Sequence, residues 1–549
     1  MNPVHVKEIA AQRQLDWLLG ERLGRGPAAA ATPVAARHPL LVAALVALAL
    51  GAAFGVGMLS RDPGDGGGEP VPAQVEQIEW YEAHGPAAAA AIPTDVVNLR
   101  CFDFDDDAVA KLAGLRSLER LDLSGMDVNS KGYSVSLPIT DEGVRHLGGF
   151  TKLRWLSLEQ CHAVTGATLT VLEGLPQLEH LDLTFTDVRS AAIERLPRLP
   201  VLRELSLSYC MAFHGRSLAE VAKIPGLRRL ELRGCVTLAA GDVAKLGALR
   251  ELRHLDLRDC QGRFRGQTMS MGDEPADRPK QDGIGLTDAA IAALTDLPLQ
   301  TLLLGGCEAL TDAVGPSLAE FGKLRELDLG GLPKVTTAVL AGLPRELQAL
   351  SLDGDFELRK EGLEVLREFR ALRELGLRGV KAIDDAALAA LLEAVPLRTI
   401  RLGGVQVREL RPSPRAPIRP SLTAGAADVL AQHPSLESIE LGYTDWVDAA
   451  VLTRLAALPA LAELGLSESQ GVADGALGAL AKSASLRRLT LVGCRALSIE
   501  DLAACAGAPL TELNLRATRL PEAGVRELAP KFPGCTIVLS DGQRLTVPR

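Results

Sequence analysis

Residues 227–260 read LRRLELRGCVTLAAGDVAKLGALRELRHLDLRDC. The stretch opens and closes on nearly the same nine letters, LRRLELRGC and LRHLDLRDC, so Cys235 and Cys260 hold one place in a phrase that returns after 25 residues. The phrase recurs through most of the chain. Its first leucine falls at 118, 153, 178, 202, 227, 252, 299, 324, 347, 372, 397, 436, 461, 486 and 510, and most steps are 23–25 residues. A degenerate copy, VVNLRC at 96–101, precedes the series, and CTIVLS at 535–540 is the expected last copy.

The alternation in LxxLxL places its leucines on one face of a short strand. After each phrase come a turn and a helix-period segment, as in LTDAAIAAL (286–294), VTTAVLAGL (335–343) and IDDAALAAL (383–391). Thr287, Thr311 and Asp384 are the expected N-caps, through a side-chain oxygen on the first free backbone N–H groups. One such unit cannot bury its own leucine face. Units therefore stack and share a core, with parallel strands about 4.8 Å apart. About fifteen strands at that spacing give a sheet about 70 Å long.

The phrase and its period resemble the leucine-rich repeat family over nearly the whole chain from about residue 96 to 540. The resemblance implies an α/β solenoid, with a curved parallel sheet inside and helices outside, that binds a protein through its concave face. Cys161, Cys210, Cys235, Cys260, Cys307 and Cys494 all occupy the ninth position of the phrase, which resembles the cysteine-containing subtype found in the substrate-binding arms of F-box proteins. Elsewhere that position holds Thr186, Val380, Val405, Thr444, Ser469 or Thr518. Interchange of Cys with Val and Thr reads as a small buried side chain, because a metal ligand or nucleophile does not exchange with Val. Neighbouring coils bring these thiols within disulfide range, but ladder side chains point in parallel into the core, so free buried thiols are expected. The chain departs from F-box proteins at its start, where residues 1–38 are short, and ubiquitin chemistry is not carried over.

Residues 40–59, LLVAALVALALGAAFGVGML, hold no charge and are long enough to cross a bilayer. Five basic groups (Lys7, Arg13, Arg22, Arg25, Arg37) precede them and an acidic flank follows, which puts the N-terminus in the cytoplasm and the repeats in the periplasm or outside the cell. The expected organisation is a cytoplasmic tail (1–38) with an amphipathic helix near 5–23, a membrane helix (39–60), a Gly/Pro linker (61–74), an N-terminal cap (75–117) and a solenoid with its C-terminal cap (118–549). Ala47, Gly51 and Gly55 form a small-residue stripe that permits self-association. A cleaved signal peptide is the rival reading of 40–59, although its apolar core is normally shorter.

Hydrophobic residues make up 47% of the chain but aromatics only 3%, so the core is built from Leu, Val and Ala. The net charge of −10 argues against a nucleic-acid partner. Arg far exceeds Lys, and Ala, Gly and Pro are abundant, a pattern of GC-rich bacterial genomes. No zinc-spaced Cys/His set, phosphate loop or nucleophile elbow is present, so neither a cofactor nor an enzymatic role is expected. The acidic run Asp103, Asp105, Asp106 and Asp107 falls at a helix start and reads as a cap before it reads as a calcium site.

Three steps are long, placing insertions near 127–137, 261–283 and 406–421, five repeats apart and on one edge. They read either as tolerated loops or as a rim for a ligand. The outward strand positions include Trp155, Glu159, His180, Asp182, Phe185, Glu204, Tyr209, Arg229, Arg233, His254 and Arg258. Aromatic residues and Arg are the usual anchors of interfaces. Phe185 and Tyr209 read either as binding anchors or as cover for the turn, and Tyr443 with Trp446 is a smaller second candidate. Copies seven to eleven offer mostly small residues, including Gly305, Gly306, Gly330, Gly331, Gly403 and Gly404. The expected function is a membrane-anchored receptor or scaffold at the cell envelope. The alternatives are a structural protein binding peptidoglycan or polysaccharide, and a signalling regulator acting through its cytoplasmic tail.

Overall fold

The computed structural model describes residues 79–125, 138–194, 199, 201–235, 238–260, 285–354, 358–405 and 418–548. The expected helix at 5–23, the apolar segment at 40–59, the linker at 61–74 and most of the three insertions lie outside these residues. Among the described residues no helix is long and apolar enough to cross a membrane.

The leucine phrases form the body of one sheet, parallel but for its last strand. Its strands are β1 (Tyr81–His84), β2 (Asn98–Phe102), β3 (Arg120–Gly125), β4 (Trp155–Ser157), β5 (His180–Asp182), β6 (Glu204–Ser206), β7 (Arg229–Glu231), β8 (His254–Asp256), β9 (Thr301–Leu303) and β10 (Glu326–Asp328). They continue as β11 (Ala349–Ser351), β12 (Glu374–Gly376), β13 (Thr399–Arg401), β14 (Ser438–Glu440), β15 (Glu463–Gly465), β16 (Arg488–Thr490), β17 (Glu512–Asn514), β18 (Thr536–Val538) and β19 (Arg544–Thr546). The register matches equivalent letters of the phrase: Leu156 pairs with Leu181, Leu205 with Leu230, and Leu255 with Leu302. Leu252, Leu255 and Leu257, the three leucines of one phrase, are fully buried. Each contributes about 1.5–3 kcal/mol by leaving water, and one contiguous core runs from Ala83 to Val547. This single long parallel sheet fits a leucine-rich repeat solenoid of the α/β class.

Each end of the sheet carries a strand outside the leucine series. The region 75–117 holds β1 and a complete coil, with β1 parallel to β2 although it carries no leucine phrase. At the other end β19 runs antiparallel to β18 and covers its open edge, which removes a row of unpaired backbone groups. The third insertion is shorter than expected at its base, because Ile418 pairs back onto Val405.

Opposite the sheet lie short α-helices and 3-10 turns. Asp288–Ala292 and Asp385–Ala394 are α-helical, whereas the expected helix at 335–343 is a 3-10 helix over Thr337–Gly342. That coil has the shortest step, 23 residues, and a 3-10 helix gains about 2.0 Å per residue against 1.5 Å. Thr311 and Asp384 cap their helices, but the Thr287 side chain makes no cap bond. Asp288 instead ties this coil to the next, accepting from the Thr311 N–H and hydroxyl at 2.9 and 2.7 Å. Asp312 does the same to Thr336, and Asp106 to Thr140. In the acidic run, Asp105 caps the helix Asp106–Lys111. These carboxylates stitch coils together and offset backbone donors that the helix starts leave open.

Candidate protein-binding face

The third, fifth and seventh letters of each phrase face away from the helices. On the third-letter row, Trp155 stacks on His180 with centroids 5.0 Å apart and planes 10° off parallel. Trp80, just before β1, meets Trp155 edge-on at 5.6 Å, and the Arg100 guanidinium lies 4.7 Å over the Trp80 ring. His180 Nδ1 sits 2.8 Å from the Glu204 carboxylate, and this bond holds Glu204 below its usual range. A shallow hollow of about 290 Å³ is lined by Trp155, His180, Arg120, Arg154, Arg203 and Glu204, among others. Trp80 and Arg100 were not among the residues expected here, because β1 carries no leucine phrase to place Trp80 on the sheet.

The eighth letter turns the chain off the sheet in a left-handed conformation, with positive φ at Gly234, Gly306, Gly331, Gly354, Gly379 and Gly493. Phe185 and Tyr209 occupy the same position with φ of 58° and 56°, a costly conformation for bulky side chains. Their rings stack face to face at 4.5 Å. His162 meets Phe185 edge-on, and Arg233 lies over Tyr209. The Tyr209 ring then crosses Gly234, where an added Cβ would stand 2.4 Å from the ring, and its hydroxyl reaches Asp259 at 3.5 Å. Gly234→Val is expected to lower stability by about 2 kcal/mol and to displace Tyr209. Urea unfolding reads the first effect and tyrosine fluorescence the second.

Glu159 and Asp182 lie beside Asp122 on the same face. Burial, reinforced by Asp182, pushes the Glu159 carboxyl up to about 7, and burial likewise raises Asp182. Between pH 4.5 and 7 folded Glu159 keeps a proton that the unfolded chain has released, so its contribution to stability declines as pH rises through that window. Glu159→Gln is therefore expected to stabilise the protein at pH 7.5 by about 1 kcal/mol. It should also flatten the difference between urea midpoints at pH 5 and pH 7.5.

The arginines expected on the binding face are engaged within the chain. Arg229 pairs with Glu231 at 2.7 Å, Arg233 with Asp259 at 3.0 Å and Arg258 with Asp256 at 2.6 Å. Burial raises Asp256, but the charge and hydrogen bonds of Arg258 outweigh it and hold the carboxyl below its usual value. His254 is kept neutral by burial and by Arg229, its imidazole pushed down to about 3. Copies seven to eleven, expected to offer mostly small residues, also carry a charge network. Asp353 there accepts from both Arg378 and Arg401, and Arg378 also reaches Glu440 at 2.9 Å. Glycine makes this possible, since a Cβ at Gly376 would stand 2.7 Å from both Asp353 and Arg401. Tyr443 shares the left-handed turn conformation, whereas Trp446 packs against the core.

All nine cysteines are buried and unpaired. Those at the ninth letter donate to a leucine carbonyl of the preceding coil: Cys210 to Leu183 at 3.0 Å, Cys235 to Leu207 at 3.2 Å and Cys260 to Leu232 at 3.1 Å. Ser469 makes the equivalent bond to Leu441 at 3.1 Å. Burial raises these thiols far above the range in which a reactive thiolate forms. Among the described residues no group of His, Cys, Asp and Glu is arranged to hold a metal ion.

The chain matches no protein-family model and no curated protein. Among solved structures it is similar to yeast Rad7, solved in complex with Elc1 (20% identity, 66% of this chain and 79% of that one, TM-score 0.42). It is also similar to a leucine-rich repeat protein of Leptospira interrogans (17%, 84% and 100%, TM-score 0.35) and to the TLR13 chain of a complex with single-stranded RNA (16%, 79% and 76%, TM-score 0.37).

Proposed function

We propose that this solenoid binds another protein through the sheet face of its N-terminal half, as a receptor or scaffold and not as an enzyme. The observation that carries the reading is the pair Phe185 and Tyr209. Both stand at the left-handed eighth position, which other coils give to glycine or to Gln160, Asp259, Glu468 and Ala517, and there they form a stack of two aromatic rings that keeps a part exposed. A stacked aromatic pair with an exposed edge on the sheet side suits an interface anchor. The Trp80–Trp155–His180 stack adds rigid aromatic area on the same and the adjoining coil, which suits a protein surface.

The apolar run at 40–59 supports a single-pass anchor in a bacterial envelope, with the repeats outside the cytoplasm. Lys360, 70% exposed, gives a reporter for that topology. A membrane-impermeant amine reagent should label it in cells with a permeabilised outer membrane. Protection there, with labelling only after lysis, reverses the orientation.

Site-specific photocrosslinking tests the binding face. A benzoylphenylalanine at Tyr209 of the full chain in its native cells is expected to trap a protein that the same group at Glu173, on the helix side, does not. Trapping from Glu173 alone would reject the sheet face as the site.

A further inference from the structure

The second letter of each phrase lies on the edge where the chain returns from the helices to start a strand. Successive second letters are joined directly. The Arg228 N–H donates to the Arg203 carbonyl at 2.7 Å, Arg253 to Arg228 at 2.9 Å, Gln300 to Arg253 at 2.7 Å and Arg325 to Gln300 at 2.8 Å. Neighbours in such a ladder stand about 4.8 Å apart. Towards either end of this row acids accompany the arginines. Arg154 is held by Glu179 at 2.7 Å, and Arg398 by Glu437 at 2.9 Å. Between them, from Arg203 through Arg228, Arg253, Gln300 and Arg325 to Arg373, the row holds no acid. The chain as a whole carries a net charge of −10, so the run does not follow from composition.

Like charges at ladder spacing repel. Arg203 and Arg325 donate to the carbonyls of Gly226 and Leu324, neutral groups that cancel no charge. Arg228 meets Glu251 at 3.3 Å and Arg250 meets Asp296 at 3.9 Å, with both pairs open to water. Exposed pairs of this kind hold weakly. A hollow of about 490 Å³ opens on this stretch of edge. It is lined by Arg228, Arg250, Arg253 and Lys323, and Glu251 is the one acid among its lining residues.

We infer that this hollow binds a phosphate-bearing ligand, a phosphomonoester or a diphosphate, held through its terminal oxygens by Arg228, Arg253 and Lys323. Four cations against one acid outweigh a single carboxylate, whereas a phosphomonoester carries a charge of about −1.5 to −2. The guanidinium fork matches phosphate oxygens two at a time, and the ammonium adds a point charge. The site stands on the edge beside the sheet face and does not depend on the protein-binding reading above. The phosphate reaches it either free in solution or as a lipid headgroup.

Inorganic pyrophosphate is the probe. Calorimetric titration of the full chain in nonionic detergent, at fixed ionic strength, is expected to show saturable binding. Arg228→Gln/Arg253→Gln, checked for an unchanged melting curve, should weaken it about tenfold or more. Lys323→Gln, at an exposed position, should weaken it about fivefold without disturbing the fold. Arg398→Gln, on the same edge but held by Glu437, should change it by less than about twofold. No saturable binding, an affinity equal to the parent's in the folded variants, or an equal loss in Arg398→Gln overturns the site. Citrate binding as tightly as pyrophosphate overturns the phosphate assignment. Repeating the titration beside vesicles separates the two sources. Weaker pyrophosphate binding beside vesicles of phosphatidylcholine and phosphatidic acid in equal parts, but not beside phosphatidylcholine alone, names a headgroup. Unchanged binding beside both names a soluble phosphate.

Discussion

Exchanging Trp155 for alanine and Tyr209 for glycine together is expected to weaken partner binding by a factor on the order of 10²–10³, chiefly through faster dissociation. Truncating an aromatic anchor typically costs about 2 kcal/mol or more, roughly 30-fold each. Trp155 lies on β4 and Tyr209 just beyond β6, at least two strand spacings or about 10 Å apart, so the losses should nearly add. Glycine is the informative choice at 209. It is the residue that Gly234, Gly306 and Gly331 supply at the same turn, so the variant relieves the backbone while removing the ring. Folding stability should therefore hold or rise at 209 even as affinity falls. The measurement is dissociation kinetics against the crosslinked partner, with melting curves in parallel. A loss below about threefold in a folded variant would return Tyr209 to the role of turn cover and remove Trp155 from the binding face.

Asp353→Ala should produce the largest loss of stability, about 3 kcal/mol in urea unfolding at pH 7. The substitution leaves Arg378 and Arg401 facing each other without the carboxylate between them, and it removes the acceptor of the Arg378 backbone N–H at 2.8 Å. Breaking a buried pair costs more than the pair contributes, because the stranded charge stays desolvated. Glu440 still holds one side of Arg378, and Arg378 is partly exposed, so the loss falls at the low end for such sites. Burial raises Asp353, but the two guanidiniums outweigh it and leave its carboxyl below the ordinary value. Its contribution is thus complete above the unfolded pKa, about 4, and is lost as pH falls through the lower folded value. The variant should be less sensitive than the parent to acid below pH 4. In a solenoid each coil contacts only its neighbours, so hydrogen exchange should rise first around β11–β14. Loss confined to the chain ends would contradict the assignment.

The ladder was legible in the sequence because the leucine phrase encodes both the strand and its register. Helix starts were legible where Thr or Asp stood before the apolar run, yet Thr287 shows that a capping residue type does not guarantee a cap bond. β1 and β19 were not legible, since neither carries the phrase, although Ala83 and Leu545 reach the core. The eighth letter offered a signal that went unread. Its glycines mark a left-handed turn, and that alone would have flagged Phe185 and Tyr209 as strained. The charge network was hidden for a different reason. Asp353 and Glu440 are joined to Arg378 across 25 and 62 residues, and Gly376 leaves the space for the Asp353–Arg401 contact. Phrase position predicts that a side chain faces the open side, but not that an acid already holds it, from the same coil for Arg229 and Arg258 and from the next coil for Arg233.

Hydrogen–deuterium exchange of the full chain, with and without the protein trapped at Tyr209, tests the binding face most directly. Slowed exchange is expected around β4–β8 and the turns that follow them, with the helix side unchanged. Protection confined to the helix side, or to β11–β14, would contradict it.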